Sequence, residues 1–260
     1  MTTRLSAFRT MLLPAFIALS PLFAQAQANA PETAPAPNVQ TQQRATRIHL
    51  GYVRTSSGPV NSDTQRGMEA LAAELSKRTA IKPQGVVALD VDRDDLSFYQ
   101  FIYWPVTPDA RPLSEAAQKR VQNYIDNGGV ILFDLKDAGG VMRNQRALQR
   151  LLADVNIRPL AAMAKDHTLT KTFYLLSGLP GTSSHGVPWV ENAVVKGTEA
   201  VSSVIIGDNN WADAWAGKTV LQNSREREMA LRAGINIVVY AYTGNFKADP
   251  IHQVLERLKR

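Results

Sequence analysis

The chain has 260 residues, 45% of them hydrophobic, a formal charge of +6 and no cysteine. This composition suits a folded core and excludes disulfides, a thiol nucleophile and the lipidated cysteine of a lipoprotein. Lys and Arg are scattered without aromatic interleaving, so the charge argues against a nucleic-acid partner and for a solvated surface.

The chain opens with the three zones of a secretory signal peptide. Arg4 and Arg9 give a positive start, and Met11 to Phe23 is apolar apart from Ser20 and is broken by Pro14 and Pro21. Small residues then alternate with polar ones from Ala24 to Ala30. Small side chains at the first and third positions before a cut suit signal peptidase, so cleavage is expected near Ala26 or Ala28. The apolar run is too short and too interrupted for a bilayer of about 30 Å, and no later stretch is long enough. The expected organisation is therefore a signal peptide over 1–28, a disordered Ala/Pro/Thr/Gln-rich linker over 29–46 and one domain over 47–260. The mature chain, about +4 without Arg4 and Arg9, is expected in the periplasm or outside the cell, with no transmembrane segment.

From Arg47 onward, strand and helix patterns alternate. Ile48 to Val53 reads as a strand, followed by a helix with Ser62 as cap and Met68, Leu71, Ala72 and Leu75 on one face. Val86 to Val91 is a second strand, and Phe101 to Trp104 a third that Pro105 stops. Ser114 caps a helix with Ala117, Val121, Tyr124 and Ile125 inward, ended by Gly128-Gly129. Val130 to Phe133 is apolar throughout, as in a strand covered on both faces.

A further helix is expected over Asn144 to Val155, with Leu148, Leu151, Leu152 and Val155 inward. Beyond Lys165 the pattern is less regular. It contains a strand at Val201 to Ile206, a long helix from Ser224 to Tyr242 with Asn223 as cap and Gly244 as stop, and a short amphipathic helix carrying Ile251, Val254, Leu255 and Leu258. The fold class that follows is α/β, a single open, mainly parallel sheet flanked by helices.

Five segments together carry a resemblance: LSFYQFIYWPVTP (96–108), NGGVILFD (127–134), DHTLTKTFYLL (166–176), VIIGDNNWADAW (204–215) and REMALRAGINIVVYAYTGNFKAD (227–249). They resemble the bacterial domain-of-unknown-function family number four-one-five-nine, over nearly all of the chain from Arg47. Many members of that family sit at the end of larger membrane proteins with aerotolerance-type N-terminal regions. The resemblance implies a flavodoxin-like fold of the class I glutamine amidotransferase-like group, and no assigned activity.

The chemistry open to this fold is narrowed by the residues. Amidotransfer by a cysteine on a strand-to-helix turn is excluded, and no Gly-x-Ser-x-Gly elbow replaces it. Ser56-Ser57-Gly58 and Ser183-Ser184-His185-Gly186 are ordinary loop compositions. His49, His167, His185 and His252 lack metal-site spacing, so no metal is expected, and no cofactor. Ala212 to Thr219 fails the phosphate-loop pattern at its first glycine.

Two polar concentrations remain at strand ends, where open α/β sheets bind ligands. One is Asp134 to Gly140, with Asp134 and Asp137 as candidate ligand-binding carboxylates. In the alternative reading, Asp137 caps a helix and Asp134 is a buried acceptor. The other is Gly207 to Trp211, with Asp208, Asn209 and Trp211 as candidates for a hydroxyl-rich or peptide ligand, against a turn held by Asx hydrogen bonds. The first functional expectation is a non-catalytic exported domain that binds an envelope protein or a small polar ligand. The second is a hydrolase-like enzyme acting on envelope glycan or peptide by carboxylate acid–base chemistry.

Overall fold

The computed structural model describes residues 48–136, 141–182, 186–191, 194–195, 198–199, 201–217 and 224–247. The expected signal peptide, the linker, Asp137, Ser183 to His185, Asn223 and the expected C-terminal amphipathic helix lie outside them.

In chain order the strands are β1 (Leu50–Val53), β2 (Val86–Leu89), β3 (Phe101–Val106), β4 (Val130–Leu135), β5 (Leu160–Ala162), β6 (Trp189–Glu191), β7 (Val194–Val195), β8 (Thr198–Glu199) and β9 (Val204–Gly207). The helices are α1 (Gly58–Arg78), α2 (Glu115–Asp126), α3 (Val141–Leu151), α4 (Trp211–Ala216) and α5 (Ser224–Lys247). Seven strands form one sheet in the order β2-β1-β3-β4-β9-β6-β5, and β7 pairs only with β8. The first five of these neighbours run parallel, while β6 pairs antiparallel with both β9 and β5. The expected α/β class with an open, mainly parallel sheet is therefore the observed one.

Side-chain alternation along the strands sends residues to two cores. Leu50, Tyr52, Tyr103, Leu132 and Ile205 meet α1, α4 and α5 on one face. Val53, Trp104, Val106, Phe133 and Ile206 meet α2 and α3 on the other. Met68, Leu71, Ala72 and Leu75 of α1 are buried at the expected helical spacing, as are Ala117, Val121, Tyr124 and Ile125 of α2. Each large apolar side chain so buried stabilises the fold by roughly 1.5–3 kcal/mol.

Several local expectations are corrected. Helix α1 starts four residues before Ser62, because Ser57 accepts the Val60 amide and Pro59 presets the first turn. Pro105 does not stop β3. The carbonyls of Gln100 and Val106 accept from β4, so by alternation residue 105 faces β1, whose pairing ends at Tyr103. The missing proline N–H therefore falls beyond that ladder. Helix α5 runs through Gly244, whose Cβ position would lie 2.8 Å from Val201, so the glycine permits close packing. Helix α3 begins at Val141 and ends at Leu151, short of Val155. Strands β5 and β6 were not expected, since three residues are too few to show a period.

Candidate functional site

Asp134 stands at the C-terminal end of β4 and is completely buried. Its Oδ1 accepts the Asn210 amide at 3.0 Å, and its Oδ2 accepts the Trp211 amide at 3.0 Å and the Tyr103 hydroxyl. The Tyr103 oxygen in turn accepts the Ala212 amide at 3.4 Å. Asn210, the N-cap of α4, adopts a left-handed conformation (φ 49°) and makes no side-chain cap. The cap comes instead from the strands β4 and β3: Asp134 and Tyr103 satisfy amides that the short helix would otherwise leave unpaired.

Lys136 joins this cluster, with Nζ 3.4 Å from Asp134 Oδ2 and 3.2 Å from Asp213 Oδ2. Burial pushes the Asp134 carboxyl above its ordinary range, opposed by the Lys136 charge and the Tyr103 hydrogen bond. Burial also holds the Tyr103 phenol well above its ordinary value. Both Asp134 oxygens and the Tyr103 hydroxyl are thereby engaged in joining the sheet to α4.

Asn209 and Trp211 belong to the same construction. Asn209 is 3% exposed and donates its amide to the Leu179 carbonyl at 3.1 Å. Trp211 is fully buried, and its indole N–H donates to the same carbonyl at 3.0 Å. Trp215, also fully buried, donates to Ala230. Helix α1 passes so close that a Cβ at Gly67 would stand 2.1 Å from the Ala212 carbonyl oxygen. The structure thus brings Asp134, Asn209 and Trp211 together as supports of the β9–α4 turn.

Asp208 is placed differently. It is half-buried and faces a cavity of about 590 Å³ between α3 and the β9-β6-β5 end of the sheet. Leu135, Leu160, Ile206 and Trp189 give this cavity its apolar surface, with Gln145 and Gln149 of α3 as polar neighbours. Trp189 is 50% exposed, whereas the other three tryptophans are buried. Its signal in the sequence was an aromatic beside Pro188 in a glycine-containing loop, separate from any periodic run.

His167 is buried, and its Nδ1 accepts the Leu169 amide at 3.2 Å, which caps a short 3-10 turn at Thr168–Thr170. Among the described residues, no group of three His, Cys, Asp or Glu could hold a metal ion, and no helix is long and apolar enough to cross a membrane. Ser57 caps α1, and Ser56 donates to Asp109.

No curated protein matches the chain. The parallel order β2-β1-β3-β4-β9 and its two helical layers agree with a flavodoxin-like arrangement. The family model described as Domain of unknown function (DUF4159) matches residues 49–242, and the chain belongs to that family.

Proposed function

We propose that the chain is an exported, non-catalytic recognition domain of the bacterial envelope, which binds glycan or peptide in the cavity beside Asp208. The observation that carries this reading is Trp189, half-exposed in a cavity of about 590 Å³ that also holds Asp208 and two glutamines. A mostly apolar concave surface with a few polar groups is the common form of a small-ligand site. An indole face stacks on a sugar ring or a peptide plane, while Asp208, Gln145 and Gln149 offer hydrogen bonds for hydroxyls or amides. Export is supported by the charge and hydropathy zones of residues 1–30.

Hydrolysis of a glycosidic bond canonically uses a pair of carboxylates at one cleft. Asp134 turns both oxygens to α4, so among the described residues Asp208 is the acidic group of this cavity. The geometry therefore supports binding over hydrolysis.

The test is titration of the mature domain with peptidoglycan oligosaccharides and stem peptides, followed by tryptophan fluorescence and thermal shift. A member of this panel is expected to raise Tm and perturb the exposed indole. Trp189→Ala is expected to weaken that binding by about tenfold or more. A panel with no binder, or a Trp189→Ala protein that binds unchanged, overturns the reading.

A further inference from the structure

The chain reverses once within the parallel part of the sheet. It leaves β1 for β2 on one side, then returns past β1 to β3 on the other. The helix after β1 packs on one face and the helix after β3 on the opposite face. Connections that diverge in this way leave a crevice at the strand ends, the usual ligand position in open α/β sheets. A cavity of about 510 Å³ lies there, and it shares no lining residue with the Asp208 cavity. Its size falls within the roughly 300–1,000 Å³ that accommodates small ligands.

Apolar side chains line its interior, Trp104 among them at 4% exposure with Val53, Val91 and Leu113. Four charged residues add two of each sign. Arg54 and Asp92 follow the ends of β1 and β2, and Asp109 and Arg111 follow β3. Among the described residues no ion pair within 4 Å joins these four, although the Arg111 charge helps to hold the Asp109 carboxyl down. Asp109 accepts the Ser56 hydroxyl and Asp92 accepts the Ser114 hydroxyl, both neutral donors. Hydrogen bonds from Ser56, then Thr107, hold the Asp109 carboxyl below its ordinary range, so it stays ionised at neutral pH. Arg54 is 55% exposed on its side chain and comes no nearer than 3.8 Å to Asp90. Arg111 is exposed and forms no salt bridge among the described residues.

Both walls are held in place. Asn61 accepts the Thr55 amide at 2.8 Å and donates to the Thr55 carbonyl at 2.9 Å, which closes a ring between Arg54 and Ser56. Arg150 of α3 donates to the Pro108 carbonyl at 3.1 Å. The first turn of α1 is capped by Ser57 itself, so charge recognition falls to the side chains.

A simple anion would meet two carboxylates here, and a simple cation two guanidiniums. We infer that the crevice binds a small zwitterion of the peptide class, with its carboxylate at Arg54 and Arg111, its ammonium at Asp92 and Asp109, and its apolar side chain against the Trp104 surface. The ligand is neutral overall, as is the set of four charges that receives it, and each end replaces water with an opposite charge.

The test is calorimetric titration of the mature domain with alanyl-leucine, its N-acetyl derivative and its C-terminal amide. The free dipeptide is expected to bind, and each blocked derivative to bind at least about tenfold more weakly. Arg111→Ala should abolish the preference over the amide, and Asp109→Asn the preference over the acetylated form. Trp189→Ala should leave all three titrations unchanged, which separates this crevice from the Asp208 cavity. The inference is overturned if alanyl-leucine gives no binding heat, if a blocked form binds equally well, or if Trp189→Ala rather than Arg111→Ala removes the signal.

Discussion

The four adjacent parallel strands β1, β3, β4 and β9 and the antiparallel-paired β6 and β5 beside them share one sheet, but they are covered differently. Every residue of β1, β3, β4 and β9 is buried, because helices lie over both faces. In β5 no residue is fully buried, and β6 opens on an exposed tryptophan. The covered strands hold one buried carboxyl, Asp134, with both of its oxygens hydrogen-bonded. The flanking strands leave apolar and aromatic surface in contact with solvent, which is what recognition requires. Full burial and exposed aromatic surface are thus divided between two parts of one sheet.

The sharpest way to break this comparison is Asp134→Ala. Removing the carboxyl leaves the Asn210 and Trp211 amides and the Tyr103 hydroxyl without their acceptor, and deprives Lys136 of an acidic partner. The expected loss is about 3–5 kcal/mol in urea denaturation, the cost of breaking a buried charged network. A loss below about 1 kcal/mol would mean that the covered half is not organised around this residue.

The next effect is a dependence on pH. Glu228 of α5 receives both terminal nitrogens of Arg78 of α1, at 2.7 and 2.9 Å, and the Arg232 Nε at 2.8 Å. The Arg78 hydrogen bond, offset by partial burial and aided by Arg232, lowers the Glu228 carboxyl from 4.5 to about 2. Its folded value is thus below its unfolded one, so the stabilisation is complete above about pH 4.5 and is lost as pH falls towards 2. With allowance for screening of this partly exposed group, the expected contribution is about 2 kcal/mol. Glu228→Gln should flatten the acid limb of the stability profile over that window, and an unchanged limb would refute the assignment.

The smallest effect belongs to the flank. Trp189→Ala should change stability by under about 1 kcal/mol, because half of the side chain already meets water. A loss comparable with that of Asp134→Ala would show that the tryptophan is core, and would remove the contrast between the two halves.

The covered half was legible in the sequence because its strands are continuous apolar runs and its helices show a helical period. Met68, Leu71 and Leu75, or Val130 to Phe133, declare their environment without any tertiary knowledge. The flank was not legible. Residues 160–162 and 189–191 become strands by pairing with β9 and with each other, and three residues carry no period of their own. In the site, Asp134 was recognised as a residue of consequence and its alternative role as a buried acceptor was foreseen. Its partners were not, since Asn210 lies 76 positions away and Tyr103 lies 31. Trp189 escaped notice because exposure is decided by the helix that fails to cover it, and a sequence pattern records only what its own segment prefers.

Asp134 has a further consequence for the timing of binding. Gly207 is fixed in the ladder opposite Asp134, and the amide of Asn210 is fixed on the same carboxylate. Only Asp208 and Asn209 lie between these two anchors, and Asn209 is itself held by Leu179. The backbone beneath Asp208 therefore surrenders its freedom, roughly 1–2 kcal/mol per residue, when the domain folds and not when a ligand arrives. A ligand of the proposed kind would meet a preorganised contact, and its affinity would not be reduced by the need to order this turn.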